Sequence, residues 1–211
     1  MKRFDLSLYV VLDPDLCEPI GMVETTRLAV RGGVTMVQLR DKKASTAHMI
    51  ETGMALKAAL AGTSVPLIIN DNVEAAIAIG ADGIHVGQED MSADEVRARV
   101  GKEMILGLSV DRGEHARPAD PRYVDYVGVG PVFPTNTKLD HSPAIGFDGL
   151  AKLIGVSPLP AVAIGGIKAQ HIGECLNAGA KGVAVVSAIC GQPDPEEAAY
   201  HLAQMIREVR R

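Results

Sequence analysis

The chain has 211 residues, a formal net charge of −5, 47% hydrophobic and 22% charged residues, 3% aromatics and no Trp. That balance belongs to a folded chain with one substantial core, predicts a single domain over 1–211, and excludes disorder. The acid excess and the shortage of stacking rings exclude a nucleic-acid surface.

In chain order, Met1-Lys2-Arg3-Phe4-Asp5 leads into a short apolar run that stops at Asp13-Pro14-Asp15, too brief for a signal peptide. Short β-branched runs then alternate with longer amphipathic stretches, the pattern of βαβ units on a parallel sheet. The predicted strands are Leu8–Leu12, Thr35–Arg40, Pro66–Ile69, Gly83–Val86, Ile105–Ser109, Tyr126–Val129, Ala161–Ile164 and Val183–Val186. Helices are predicted between them over Met22–Arg31, Thr46–Leu60, Val73–Ile79, Ala93–Val100, Arg112–Ala116, Phe147–Ile154 and Ala169–Ala178, with a last one over Pro195–Val209. Glycines recur where a helix must stop before the next strand, as in Gly32-Gly33, Gly80 and Gly179. No G-x-G-x-x-G follows the first strand, so the units fit an α/β fold of the (β/α)₈ TIM-barrel type better than an open doubly wound sheet. Stretches such as Leu153 to Ile167 are cut by Pro158, Pro160 and a glycine pair, so no membrane span is expected. Cys17, Cys175 and Cys190 are odd in number and far apart, which predicts reduced thiols and a cytoplasmic location.

In such a barrel the chemistry belongs at the carboxyl ends of the strands, and those ends are polar here. Val37-Gln38-Leu39-Arg40-Asp41-Lys42 passes from apolar to charged without a break, with Gln38 and Arg40 on one strand face and Val37 and Leu39 on the other. Arg40 offers a rigid fork of donors and Lys42 a mobile point charge, a pair suited to phosphate or diphosphate, although a solvated strand end has the same look. Asn70-Asp71-Asn72 serves equally as a helix N-cap, and Asp90 as a surface acid. Taken together, Asp71 and Asp90 form the sparse carboxylate set that holds a hydrated Mg²⁺ whose other ligands come from substrate phosphate.

Gly165-Gly166 and Val186-Ser187 end late strands, where backbone N–H groups of such barrels bind phosphate; tight packing also asks for glycine. The long stretch from Gly128 through Pro131, Thr135 and Lys138 to Gly146 is a rim loop of the kind that works more often than it fills. His85 reads as an interior structural histidine without an assigned role.

The motifs Gln38-Leu39-Arg40-Asp41-Lys42, Asn70-Asp71, Ala81 to Asp90, Gly107-Leu108-Ser109, Gly130 to Lys138, Ile164 to Ile167 and Val185-Val186-Ser187 together resemble the thiamine-phosphate synthase family, in order and from the first strand to the last helix. The resemblance implies a Mg²⁺-dependent transferase of thiamine biosynthesis. It would join hydroxymethylpyrimidine diphosphate to a thiazole phosphate, or its carboxylated form, with release of diphosphate. Carried over by position, Gln38, Leu39, Arg40, Asp41, Lys42, Asn70, Ser109 and Lys138 would hold the pyrimidine diphosphate. Thr135, Asn136, Thr137, Gly166, Val186 and Ser187 would hold the thiazole phosphate, and Asp71 and Asp90 the metal. Arg40, Lys42, Lys138 and Ser109 would carry the catalytic load. In two places the chain departs from the family pattern: Leu12-Asp13-Pro14 replaces the commoner threonine-aspartate, and Leu139 stands where many relatives have a second lysine.

A thiazole tautomerase-like relative would not need the diphosphate and metal groups. A sugar-phosphate epimerase or isomerase would need acid/base residues at the rim. A non-catalytic thiamine-precursor-binding protein is the alternative from another class. The partners expected are small-molecule substrates, with no nucleic acid and no membrane; a homo-oligomer stays open.

Overall fold

The computed structural model describes residues 4–135 and 143–211. Eight parallel strands close into a barrel in sequence order: β1 Leu8–Leu12, β2 Met36–Leu39, β3 Leu67–Asn70, β4 Gly83–Val86, β5 Ile105–Val110, β6 Tyr126–Val129, β7 Ala161–Ile164 and β8 Val183–Val185. Closure comes from β1 against β8, with Tyr9 opposite Ala184.

Among the described residues the helices are α1 Pro14–Cys17, α2 Gly21–Arg31, α3 Thr46–Ala59, α4 Val73–Ile79, α5 Ala93–Val100, α6 Gly113–Ala116, α7 Gly146–Val156, α8 Ile172–Asn177 and α9 Pro195–Val209. None is long and apolar enough to cross a membrane. The sequence reading missed α1, although Asp13 caps it by accepting from the Leu16 N–H and Pro14 occupies its first turn, a standard start signal. The predicted Ala169–Ala178 helix is divided, its first turn being a 3₁₀ turn over Ala169–His171. The helix stop at Gly80 adopts the left-handed conformation (φ 61°), and its N–H returns to the Ile77 carbonyl.

Strand alternation sorts the side chains into two cores. Outward residues such as Val10, Val37, Leu39, Ile69, Ile84, Leu106, Val127 and Val183 pack with the surrounding helices. Inward residues Tyr9, Met36, Ile68, Ile105, Tyr126, Val162 and Ala184 fill the barrel as a separate cluster, one from each of seven strands. The remaining strand, β4, contributes Gly83 at that level; a Cβ there would lie 2.5 Å from Ile68 Cδ1 and 2.9 Å from Ile105 Cβ. This plug closes the lower barrel and leaves the carboxyl ends of the strands as the floor of an open mouth. Cys17, Cys175 and Cys190 are buried free thiols.

Candidate active site

The mouth holds a cavity of about 550 Å³. Gln38, Arg40, Lys42, Asn70, Asp90 and Ser109 line it from β2 to β5, and Thr135, Gly166, Val186 and Ser187 from β6 to β8. Ten of the residues expected at the site therefore share one cavity. Leu39 does not share it: its side chain is fully buried on the outer face of β2, as strand parity requires. The Asp41 carboxylate is engaged locally, accepting from the Lys43 and Ala44 N–H groups at 2.9 and 3.0 Å, an Asx turn that shapes the segment carrying Lys42. Asn136, Thr137 and Lys138 lie outside the described residues.

Asp71 leaves β3 in the left-handed conformation (φ 61°), tolerated by Asp better than by most residues, and its N–H donates to the His85 carbonyl of β4 at 2.9 Å. Its Oδ2 accepts from Asn70 Nδ2 at 2.6 Å and pairs with Lys42 Nζ at 3.1 Å. Asn72, not Asp71, caps α4, accepting from the Ala75 N–H. Burial first, then the neighbouring Asp90 carboxylate, pushes the Asp71 carboxyl up to about 6, while Lys42 pulls the other way. Asp90 Oδ2 also accepts from the Gly87 N–H at 2.7 Å.

Two carboxylates crowded together, one of them paired with Lys42, make a site that a hard divalent cation would relieve, and the donor set fits Mg²⁺. Among the described residues no group of three or more His, Cys, Asp or Glu is placed to hold a metal ion. A cation here would therefore complete its shell with water and substrate oxygens.

The opposite side is built from backbone. Val132 and Phe133 donate their N–H groups to the Ile164 and Gly165 carbonyls at 2.9 and 3.0 Å, which fastens the start of the β6 loop to the end of β7. The returning limb is fixed too, with the Ile145 and Gly146 N–H groups on the Pro131 and Val132 carbonyls. Phe133 packs on His171 (ring centroids 4.1 Å apart) and on Phe147 (5.1 Å). Gly166 has φ 64°, and a Cβ on it would lie 2.6 Å from the Pro134 carbonyl oxygen and 2.8 Å from Phe133 Cβ. Glycine is required there because the loop leading to Thr135 crosses it closely. After β8, the Ile189 and Cys190 N–H groups both return to the Val186 carbonyl, a helical turn that begins beside Ser187.

Several residues at the mouth were given no role of their own from the sequence. Gln88 Nε2 donates to the Ser109 carbonyl at 2.6 Å. Asp111, Arg112 and His115 add a polar wall above β5, with His115 Nδ1 2.5 Å from Asp111 Oδ1. His85 and Tyr9 also line the cavity. His85 Nε2 lies 3.0 Å from Ser109 Oγ and its Nδ1 3.0 Å from the Tyr126 hydroxyl, so the residue without an assigned role touches an expected site residue. The available signal was composition: in a chain with 4 Tyr and no Trp, two tyrosines inside predicted strands need hydrogen-bond partners within the barrel.

Comparisons with known proteins agree with this geometry. Residues 8–189 match the family model described as thiamine monophosphate synthase. The thiamine-phosphate synthase of Xanthobacter autotrophicus is 46% identical over 209 residues, covering 99% of each chain. That of Azorhizobium caulinodans is 47% identical over 208 residues, covering 99% of this chain and 98% of the relative. The solved thiamine phosphate pyrophosphorylase of Pyrococcus furiosus superposes with a TM-score of 0.87 at 36% identity, over 97% of this chain and 96% of that one. The family model spans most of the chain, the relatives match over nearly their full length and the barrel superposes on a solved one, so the chain belongs to the thiamine monophosphate synthase family.

Proposed function

We propose that this chain joins hydroxymethylpyrimidine diphosphate to a thiazole phosphate, or its carboxylated form, giving thiamine phosphate and diphosphate, together with carbon dioxide from the carboxyl group where the carboxylated form is used. The observation that carries the reading is a single cavity in which cationic, amide and hydroxyl side chains from the ends of β2, β3 and β5 face a rim from β6 to β8. Two phosphorylated substrates need two such surfaces within reach of one reacting carbon.

Gln38, Arg40, Lys42, Asn70, Ser109 and Lys138 hold the pyrimidine diphosphate in this reading, together with the Leu39-Asp41 segment that carries Arg40 and Lys42. Thr135, Asn136, Thr137, Gly166, Val186 and Ser187 hold the thiazole phosphate. Asp71 and Asp90 hold Mg²⁺, which when bound supplies positive charge beside the diphosphate oxygens.

The bond from the pyrimidine methylene carbon to the diphosphate oxygen breaks, its electron pair leaving with the oxygen. The thiazole nitrogen lone pair then forms the new bond to that carbon. Arg40, Lys42 and Lys138 stabilise the charge that accumulates on the leaving group, a task of electrostatics and positioning that requires neither a nucleophilic side chain nor a general base. The crowded Asp71 and Asp90 pair favours this over a tautomerase-like role, which has no use for a metal.

The test is an assay with both substrates with and without Mg²⁺, following thiamine phosphate and diphosphate by chromatography. Equimolar, Mg²⁺-dependent products are expected. Tight binding of both substrates without product would make the protein a non-catalytic binder.

A further inference from the structure

At the top of the inward cluster the Tyr9 and Tyr126 hydroxyls take part in a buried chain of hydrogen bonds that links Gln38 of β2 to Ser109 of β5. Gln38 Nε2 donates to the Tyr9 hydroxyl at 2.6 Å, and the Tyr9 hydroxyl lies 3.0 Å from that of Tyr126. Tyr126 meets His85 Nδ1 at 3.0 Å, and His85 Nε2 meets Ser109 Oγ at 3.0 Å. Gln38, Tyr9, His85 and Ser109 line the cavity; Tyr126 is fully buried.

The sequence makes room for this chain. In the barrel register Gly107 of β5 lies between His85 of β4 and Tyr126 of β6. A Cβ on Gly107 would sit 2.4 Å from both His85 Nδ1 and the Tyr126 hydroxyl oxygen, so glycine alone lets these side chains meet across the intervening strand. Among the described residues only Thr26 Oγ1 is a buried side-chain polar atom without a partner, so the chain leaves no polar end unmet in the interior.

The direction of the bonds follows from donor counting. The Gln38 amide nitrogen can only donate, so the Tyr9 oxygen accepts and its one proton goes to Tyr126. The Tyr126 proton then goes to His85 Nδ1. Burial holds both phenols well above their ordinary range, so each keeps its proton to pass on. A neutral imidazole that accepts at Nδ1 carries its hydrogen on Nε2, which donates to Ser109 Oγ. The remaining Ser109 proton is left to point at an acceptor in the cavity. A diphosphate is acceptor-only, which matches that polarity.

We propose that Tyr126 is a positioning residue that, acting through His85, fixes the Ser109 hydroxyl as a hydrogen-bond donor to the pyrimidine diphosphate. This rests on the functional reading above. The reversed chain, with the Gln38 carbonyl accepting from Tyr9, would put the hydrogen on His85 Nδ1 and turn the Ser109 proton back into His85.

Two measurements decide it. In ¹⁵N-histidine-labelled wild-type protein, with His85 assigned by its absence in His85→Gln, long-range proton–nitrogen correlations should show a bare Nδ1 and a protonated Nε2. The opposite tautomer would overturn the proposal without any kinetic measurement, and without requiring Tyr126→Phe to fold.

The second is a double-mutant cycle. Tyr126→Phe, checked for an unchanged melting transition, should lower kcat/KM for the pyrimidine diphosphate about tenfold. In a Ser109→Ala background the same change should have almost no effect. An equal loss in both backgrounds would show that Tyr126 only packs, and would overturn the proposal. A wild-type chain that never forms thiamine phosphate would overturn the functional reading and the substrate named here with it. A chain that turns over with the reversed tautomer would overturn this inference alone.

Discussion

The two halves of the barrel mouth are built of different material. From β2 to β5 the rim carries Arg40, Lys42, Asn70, Asp71, Asp90 and Ser109, side chains with charge or hydrogen-bonding groups. From β6 to β8 it is made of Pro131, Gly165, Gly166, Val186 and Ser187, and the structure there is held by main-chain bonds between neighbouring loops. On the proposed reaction the difference has a reason. The diphosphate gains charge as its bond breaks, so groups that respond to that charge lower the barrier. The thiazole phosphate keeps its charge throughout, and fixed backbone donors are enough to hold a spectator.

Substitutions on each half should therefore fail in different ways. Largest should be Lys138→Ala, which on this account removes a cation aimed at growing charge. A loss on the order of 10² to 10³ in the single-turnover rate is expected, about 3–4 kcal/mol, with little change in KM for the thiazole phosphate. A wild-type single-turnover rate would detach this lysine from the leaving group. Asp71→Ala or Asp90→Ala comes next. Either should raise the Mg²⁺ concentration for half-maximal rate by roughly 10–100-fold while the barrel stays folded, because neither side chain belongs to the core. Activity with an unchanged Mg²⁺ response in both variants would remove the metal from this corner.

On the other half, Gly166→Val meets both a left-handed backbone and the Phe133-Pro134 loop. It should raise KM for the thiazole phosphate about tenfold and that for the pyrimidine diphosphate far less. Equal effects on both substrates would erase the distinction between the halves. The smallest effect expected is on stability. The Asp71 carboxyl, held at about 6 against an ordinary 3.8, binds its proton more tightly in the folded chain than in the unfolded one. Its contribution is therefore complete below about pH 4 and lost as pH rises through about 6. Without Mg²⁺, wild type should lose roughly 2–4 °C of melting temperature relative to Asp71→Asn across that window. Parallel pH curves for the two proteins would mean that Asp71 titrates as an ordinary acid.

Much of this was readable before folding, for identifiable reasons. Strand ends such as Gln38 to Lys42 announce themselves because apolar parity and charge change at one point, and the alternation of units specified the barrel. The Tyr9–Tyr126–His85 chain could not be read that way. Tyr9 and Tyr126 are 117 positions apart and lie on strands that do not pair, so only closure of the barrel brings their hydroxyls together. Gly107 looked like part of a motif, while its purpose is a vacancy between two neighbours. Gly166 had been open between phosphate approach and close packing. The Pro134 oxygen 2.6 Å from its absent Cβ shows that packing is at least one part of the answer.

The clamped feet of the β6 loop bear on how such a protein changes over evolutionary time. Pro131, Val132 and Phe133 on one side and Ile145 and Gly146 on the other are tied to each other and to β7 by main-chain bonds, which do not depend on side-chain identity. The chain between those feet closes a gap of fixed width. Its closure entropy grows only slowly with length, at about 0.6 kcal/mol per doubling. Changes of length over 136–142 should thus be cheap for the stability of the barrel. The barrel can therefore tolerate there changes that catalysis, on the proposed role of Lys138, does not.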